Sequence, residues 1–433
     1  SFPHDIILYF NTGVQYTMKK QKISSAILAF GLAASLLFQV PVSAEEAEQT
    51  AAEATGSVST NSISGWPQAS DISSEAAVVM ENTTNTILYS KNADEELFPG
   101  STVKIMTCLL ALENTQLTDQ VTMTATGVSG VTDGGASISS QVDEVFTVEQ
   151  CLYAIMVSSA NDIALQIAEH VGGSVENFVQ QMNTTAQKLG CTNTVFTNPT
   201  GLPDDQQHTT AHDMALIMQA AIQNEDFQTI AAATSYTIPA TNKAAARNLT
   251  SKFTMTDTGS TGFYEGCIGG KEGYTEASGS TLVCAAKRNG MTLISVVLKG
   301  ASGQTAPDAA SILNYGFDNF TTLSLGNSDF SIISGGDVVV PAGTGEDSLT
   351  TEDTQNGDQI DRTYLFNGTA VGTAVLEIAQ ADNTESVQKG EQNMQAAKEY
   401  SENHTQLPYF LIAGVFLVLL IFLIWRIVKI AKS

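Results

Sequence analysis

The chain has 433 residues, with 19 Lys and Arg against 45 Asp and Glu, a formal net charge of −26. Hydrophobic residues make up 43%, which rules out wholesale disorder, and the length fits two or three domains. The acidity argues against nucleic acid as a partner, because phosphate binding needs clustered Lys and Arg. Five cysteines are too few for a disulfide scaffold.

The charge is unevenly spread. Asp5, Lys19, Lys20 and Lys22 give residues 1–44 a net +2, and Arg426, Lys429 and Lys432 give residues 409–433 a net +3. With −26 overall, the stretch between holds −31. Met18-Lys19-Lys20-Gln21-Lys22 is a basic opening, Ile23 to Val40 is largely apolar, and Val42-Ser43-Ala44 ends in small residues before Glu45. That pattern predicts a signal peptide over 18–44, cut after Ala44, with residues 1–17 a non-native upstream extension. At the other end, Tyr409 to Trp425 is an uninterrupted apolar run. At about 1.5 Å of rise per residue it just spans a hydrocarbon core. Aromatic residues mark its two ends, and the cationic residues after it put the tail, 426–433, in the cytoplasm. Export plus this transmembrane helix predicts an extracytoplasmic, membrane-tethered protein.

Residues 45–65 are rich in Ala, Glu, Ser and Thr and read as a flexible leader. Folded sequence is expected from Trp66. Ala76 to Met80 and Thr86 to Tyr89 predict a hairpin. Pro99-Gly100-Ser101 opens a helix over Val103 to Glu113. Thr147-Val148-Glu149-Gln150 is a capping box before a second helix, which breaks near Ser158 to Asn161 and resumes through Glu169. Phe178, Met182, Ala186 and Leu189 mark another amphipathic helix, and Thr210 caps a further one to Gln223. Gly266 to Ile268, Ser280 to Ala286 and Met291 to Leu298 then read as antiparallel strands. Helices in the middle with strands at both ends predict an α+β domain over 66–318. Residues 319–380 read as a small all-β domain, and 381–408 as a polar stalk.

The chemistry concentrates in three places. Ser101-Thr102-Val103-Lys104 puts a serine and a lysine at i and i+3, on one helix face. A serine hydroxyl is a weak nucleophile and needs a base. A lysine serves when desolvation or nearby positive charge disfavours its ammonium form. Ser159-Ala160-Asn161 lies at the break in a helical hairpin, and Lys271-Glu272-Gly273 lies in the late sheet. The order S-x-x-K, S-x-N, K-x-G is far more specific than any member alone.

At these residues the sequence resembles the serine penicillin-binding and β-lactamase superfamily, and more closely the low-molecular-weight D-alanyl-D-alanine carboxypeptidases. The likeness extends to Phe98 to Lys104, Ser158 to Ala164, Phe196 to Leu202, and Gly270 to Thr275. It implies a transpeptidase-like fold, with an antiparallel sheet and a helical cluster, in a bacterial membrane. Ser101 would attack the D-Ala–D-Ala bond and form an acyl-enzyme, with Lys104 as base. Ser159 and Asn161 would relay protons and hold the substrate amide. Lys271 would keep Lys104 neutral and favour the substrate carboxylate, and the N–H groups of Ser101 and Tyr274 would bind the oxyanion. Peptidoglycan stem peptides and β-lactams are the implied partners, and no cofactor or metal is implied. Substrate-binding positions are thus Asn161, Lys271, Glu272, Gly273 and Tyr274.

Two departures stand out. Thr200 replaces the family's His, and Glu272 replaces its Thr or Ser. An ionised Glu272 would repel a substrate carboxylate. It escapes that by pairing with Lys271, by being protonated through burial, or by belonging to a weak or silent wall-binding protein. A β-lactamase is a further alternative, disfavoured because Phe196 to Leu202 contains no Glu. Cys267 and Cys284 are expected across a hairpin, as a disulfide or as free thiols. His208 and His212 are weaker candidates for a base than Lys104, and Asp204-Asp205 read as turn residues.

Overall fold

The computed structural model describes residues 57–131, 135–326 and 331–377, with single helical positions at 395 and 417. Apart from those two positions, the upstream extension, signal peptide, stalk, transmembrane helix and tail lie outside the described residues. Among the described residues, no helix is long and apolar enough to cross a membrane.

Strands β1 (Ala76–Glu81) and β2 (Ile87–Lys91) form the expected hairpin. A 3-10 turn at Gly100–Val103 feeds α1 (Lys104–Asn114). Short elements follow: β3 (Gln120–Thr122), α2 (Ala125–Ser129) and β4 (Val145–Thr147). The helical cluster continues with α3 (Val148–Val157), α4 (Asn161–Gly172), α5 (Val175–Lys188), α6 (Ala211–Ala221) and α7 (Glu225–Ala231). Thr147 and Gln150 make the predicted reciprocal capping box on α3, and Thr210 accepts from Asp213 N–H at the start of α6. The hairpin of β5 (Ser235–Ile238) and β6 (Arg247–Thr250) precedes β7 (Cys267–Thr275), β8 (Gly279–Arg288), β9 (Met291–Gly300) and α8 (Thr305–Asn319).

The main sheet is antiparallel, in the order β2-β1-β9-β8-β7. Both of its faces are covered, which is why its strands read as near-continuous apolar runs. Ala76, Val78 and Met80 of β1, with Ile294, Val296 and Leu298 of β9, join the helical cluster on one face. Ala77, Val79, Leu293 and Val297 join the layer under α8 on the other. Helix α1 is the hub of the helical side. Every residue from Lys104 to Ala111 is buried, and α3, α4, α5 and α6 all pack on it.

Three boundaries differ from expectation. β7 runs on to Thr275 because its glycines hide an apolar pattern without breaking the pairing with β8. α4 reaches Gly172, where Gly173 adopts a left-handed cap at φ 74°. The expected flexible leader is packed at its end: Val58 and Thr60 are buried, and Asn61 Nδ2 donates to Ala69 O at 2.9 Å.

After α8, β10 (Phe320–Ser324) pairs with β12 (Asp337–Pro341). β11 (Ser331–Gly335), β13 (Leu349–Asn356), β14 (Gln359–Phe366) and β15 (Thr369–Glu377) form a second sheet, in the order β11-β15-β14-β13. Their apolar residues share a cluster with Trp66 and Leu313, so they pack on the main domain. The Trp66 ring lies 5.0 Å from Phe320 and 6.1 Å from Phe366.

Candidate active site

The site is built on the start of α1. Lys104 is fully buried, and its Nζ lies 3.1 Å from Ser101 Oγ. The 3-10 turn, with three residues per turn, eclipses positions i and i+3 and so aligns this pair. The lysine Nζ also donates to the Thr200 carbonyl. Burial, and then the neighbouring Lys271, hold its pKa well below 10.5 and so disfavour the ammonium form beside the serine hydroxyl. One turn on, burial pushes the Cys108 thiol up to about 12, so it offers no countercharge.

Lys271 comes from the edge strand β7 and is also buried. Its Nζ donates to the Glu272 carbonyl at 2.7 Å. Burial lowers its pKa to about 8, so it carries its charge at neutral pH. Gly273 is the point of closest approach. A Cβ there would lie 2.5 Å from Ser101 N, so any side chain would push β7 off the nucleophile. Thr281 Oγ1 sits between both sides of this junction, 3.1 Å from Pro99 O and 3.3 Å from Gly273 O, with its one proton available to either carbonyl. Tyr274 is 67% exposed at the rim.

The loop after α5 supports α1 from beneath. Asn198 Oδ1 accepts from Gly201 N–H at 2.9 Å and from Thr200 Oγ1 at 2.8 Å. Thr107 Oγ1 donates to Pro199 O at 2.8 Å. Gly201 has φ 81°, and a Cβ there would lie 1.8 Å from Gly100 O. This loop thus fixes both the turn that carries Ser101 and the carbonyl that holds Lys104, and it brings no carboxylate to either.

Ser159 lies between α3 and α4, both of which pack on α1. Its backbone sits at φ 58°, and its hydroxyl is buried without a hydrogen-bond partner among the described residues. Left-handed serines and orphaned buried hydroxyls are both costly, and such strain clusters at functional sites. Asn161 opens α4, is 3% exposed, and donates its N–H to Ala136 O at 2.7 Å.

Glu272 lies between Lys271 and Gly273, opposite Leu282. Alternation places it on the Leu282 face, while Lys271 and Gly273 share the other. No ion pair within 4 Å holds it among the described residues. Burial raises its pKa, opposed by Lys271 and Lys252. Pairing with Lys271, one expected escape, is therefore not what the structure shows: that ammonium goes to the backbone.

Lys252 and the Thr200 carbonyl were invisible to motif reading, since an exposed loop lysine and a backbone oxygen carry no local signature. His208 and His212 stay outside the site, on the side of Glu96 and Asp94; His212 Nδ1 lies 3.3 Å from Asp94 Oδ1. Asp204 is a turn residue, accepting from Gln206 N–H at 3.0 Å. Cys267 and Cys284 are free. A bulge places Cys267 opposite Ala286, while Cys284 faces Gly270.

A buried lysine amine beside a serine, a second buried lysine and a glycine-tight strand edge together make a candidate serine acyl-transfer site. The family model described as D-alanyl-D-alanine carboxypeptidase matches residues 64–302, and the chain belongs to that family. It is 34% identical over 257 residues to the D-alanyl-D-alanine carboxypeptidase DacF of Bacillus subtilis, a match covering 57% of this chain and 63% of that relative. A D-alanyl-D-alanine carboxypeptidase of a Streptomyces strain is 33% identical over 256 residues, with 57% and 88% covered. Among solved structures, the D-alanyl-D-alanine carboxypeptidase of Mycobacterium tuberculosis matches with a TM-score of 0.54 at 27% identity, covering 59% of this chain and 95% of that one. The penicillin binding protein 6B of Escherichia coli shares the fold, with a TM-score of 0.60 at 22% identity, covering 72% and 98%.

Proposed function

We propose that this protein is a serine D-Ala–D-Ala carboxypeptidase acting on peptidoglycan stem peptides, and that β-lactams acylate the same serine. The observation that carries the proposal is Lys104, fully buried, with its Nζ 3.1 Å from Ser101 Oγ and its ammonium form disfavoured. Ser101 Oγ attacks the scissile carbonyl as Lys104 takes its proton. The N–H groups of Ser101 and Tyr274 stabilise the oxyanion. The proton passes through Ser159 to the departing D-alanine amine, and water then hydrolyses the ester. Lys271 holds Lys104 neutral by repulsion and attracts the substrate carboxylate, while Asn161 holds its amide. Release of D-alanine from a D-Ala–D-Ala peptide tests this. Wild type should release it and Ser101→Ala should not; equal release from both defeats the assignment.

The remainder of the plan is part of the same proposal. Residues 319–380 form a small β domain. The likeness to the Escherichia coli protein covers 72% of this chain, more than residues 64–302 account for, which supports that reading. Residues 18–44 direct export, and 409–425 anchor the protein in the bacterial membrane with its catalytic domain outside. The sequence pattern alone supports this part. Membrane fractionation of the full chain and of a form ending at 408 tests it, and equal membrane retention would defeat it.

A further inference from the structure

All five cysteines are free, and burial pushes Cys108, Cys151 and Cys191 up, away from thiolate chemistry at neutral pH. Cys267 and Cys284 differ. Gly270 is opposite Cys284 across the β7–β8 pair, so the two share one face of the sheet. In a regular strand Cys267, three residues before Gly270, would point to the other face. The bulge between Cys267 and Gly269 adds a residue and turns Cys267 back, opposite Ala286. Both side chains therefore enter the layer under α8, where Cys284 is fully buried and Cys267 is half-buried against it. There the two thiols are hydrogen-bonded to each other.

The pair is chemically asymmetric. The hydrogen bond from Cys284 favours the Cys267 thiolate and outweighs burial, so the Cys267 pKa falls below the ordinary thiol value. The same contact, together with burial, drives Cys284 up. A half-exposed thiol of depressed pKa beside a buried, protonated one matches an attacking cysteine and its resolving partner.

We propose that Cys267 and Cys284 form a thiol–disulfide exchange site, at which the disulfide of a small thiol, RSSR, converts the pair to a reversible bridge between β7 and β8. The Cys267 thiolate attacks one sulfur of RSSR; the new S–S bond forms as the old one breaks, and RS⁻ leaves. Cys284 then gives up its proton, and its sulfur displaces the second RS⁻ from Cys267. The two cysteines are oxidised to one disulfide, and RSSR is reduced to two RSH that carry off both protons. Cys267 and Cys284 are diagonal neighbours, which on antiparallel strands stand about 7 to 8 Å apart at Cα, beyond the roughly 4.4 to 6.8 Å that a disulfide usually spans. Closure must draw the start of β7 toward β8, so the bridge is strained and excess thiol reopens it.

The test incubates the reduced full chain with oxidised glutathione and reads intact mass and a peptide map. Wild type should lose two hydrogens, release two glutathiones per chain and yield a single cross-link, joining Cys267 to Cys284. Excess reduced glutathione should restore both thiols. Cys284→Ala should stop at one glutathione on Cys267, and Cys267→Ser should leave Cys284 unmodified. Ser101→Ala should behave as wild type, so the outcome is separate from the carboxypeptidase reading. A glutathione adduct that persists on wild-type Cys267, a bridge to any other cysteine, a bridge that excess reduced glutathione does not open, or no reaction at all overturns the proposal.

Discussion

Replacing Lys271 by methionine removes a charge that the fold carries at a cost. The side chain is 3% exposed, and burial brings its pKa from 10.5 to about 8. At about 1.36 kcal/mol per pH unit, that fall corresponds to about 3 kcal/mol of instability. The unfolded chain keeps the proton up to pH 10.5 and the folded one only to about 8. The unfolded state therefore binds more protons in that window, and wild-type stability rises with pH across it. Below pH 8 the whole penalty is present. The methionine variant escapes it but loses the hydrogen bond to the Glu272 carbonyl, worth about 1 kcal/mol. A net gain of about 2 kcal/mol is expected at pH 7, or about 4 °C in Tm for a domain of this size. Urea unfolding of both forms at several pH values is the assay. The gain should shrink steadily between pH 8 and 10.5 and give way to a small loss. Acylation should meanwhile slow, because Lys104 loses the charge that helps keep it neutral. A variant no more stable than wild type at pH 7, or a gain independent of pH, would refute the assignment of Lys271 as a buried, strained cation.

Other substitutions probe the scaffold. Gly201→Ala drives a methyl into the Gly100 carbonyl; it should cost about 3 kcal/mol in thermal or urea unfolding and slow penicillin acylation with it. Arg247→Ala strands the fully buried Glu144 carboxylate, now paired at 2.7 Å, and should cost about 3 to 5 kcal/mol by urea unfolding. Thr147→Ala removes one half of the α3 capping box and should cost about 1 kcal/mol, with acylation kinetics unchanged.

How much of this was legible before any coordinates depended on how local each signal is. The S-x-x-K pair, the capping box at Thr147 and the helix break before Asn161 are written within a few residues, and each appears where expected. The main strands were legible as apolar runs because both sheet faces are buried. Their ends were not: Gly269 and Gly270 interrupt the apolar pattern of β7, yet they pair normally with β8. Cys267 and Cys284 do meet across the hairpin, as hydrogen-bonded free thiols, although a bulge after Cys267 that no residue announces shifts the backbone pairing. The site's second layer is not a sequence pattern at all. The Thr200 carbonyl that holds Lys104 is a backbone group, and Lys252 reaches Glu272 only through tertiary folding. The same is true of the Glu272 environment, where burial, rather than pairing with Lys271, sets the balance.

The most direct test of the central claim is mass measurement of the intact protein after incubation with benzylpenicillin, followed by peptide mapping. One penicilloyl group should sit on Ser101, absent in Ser101→Ala and slow to appear in Lys104→Met. A label on another residue, or undiminished labelling without the Lys104 amine, would contradict the account.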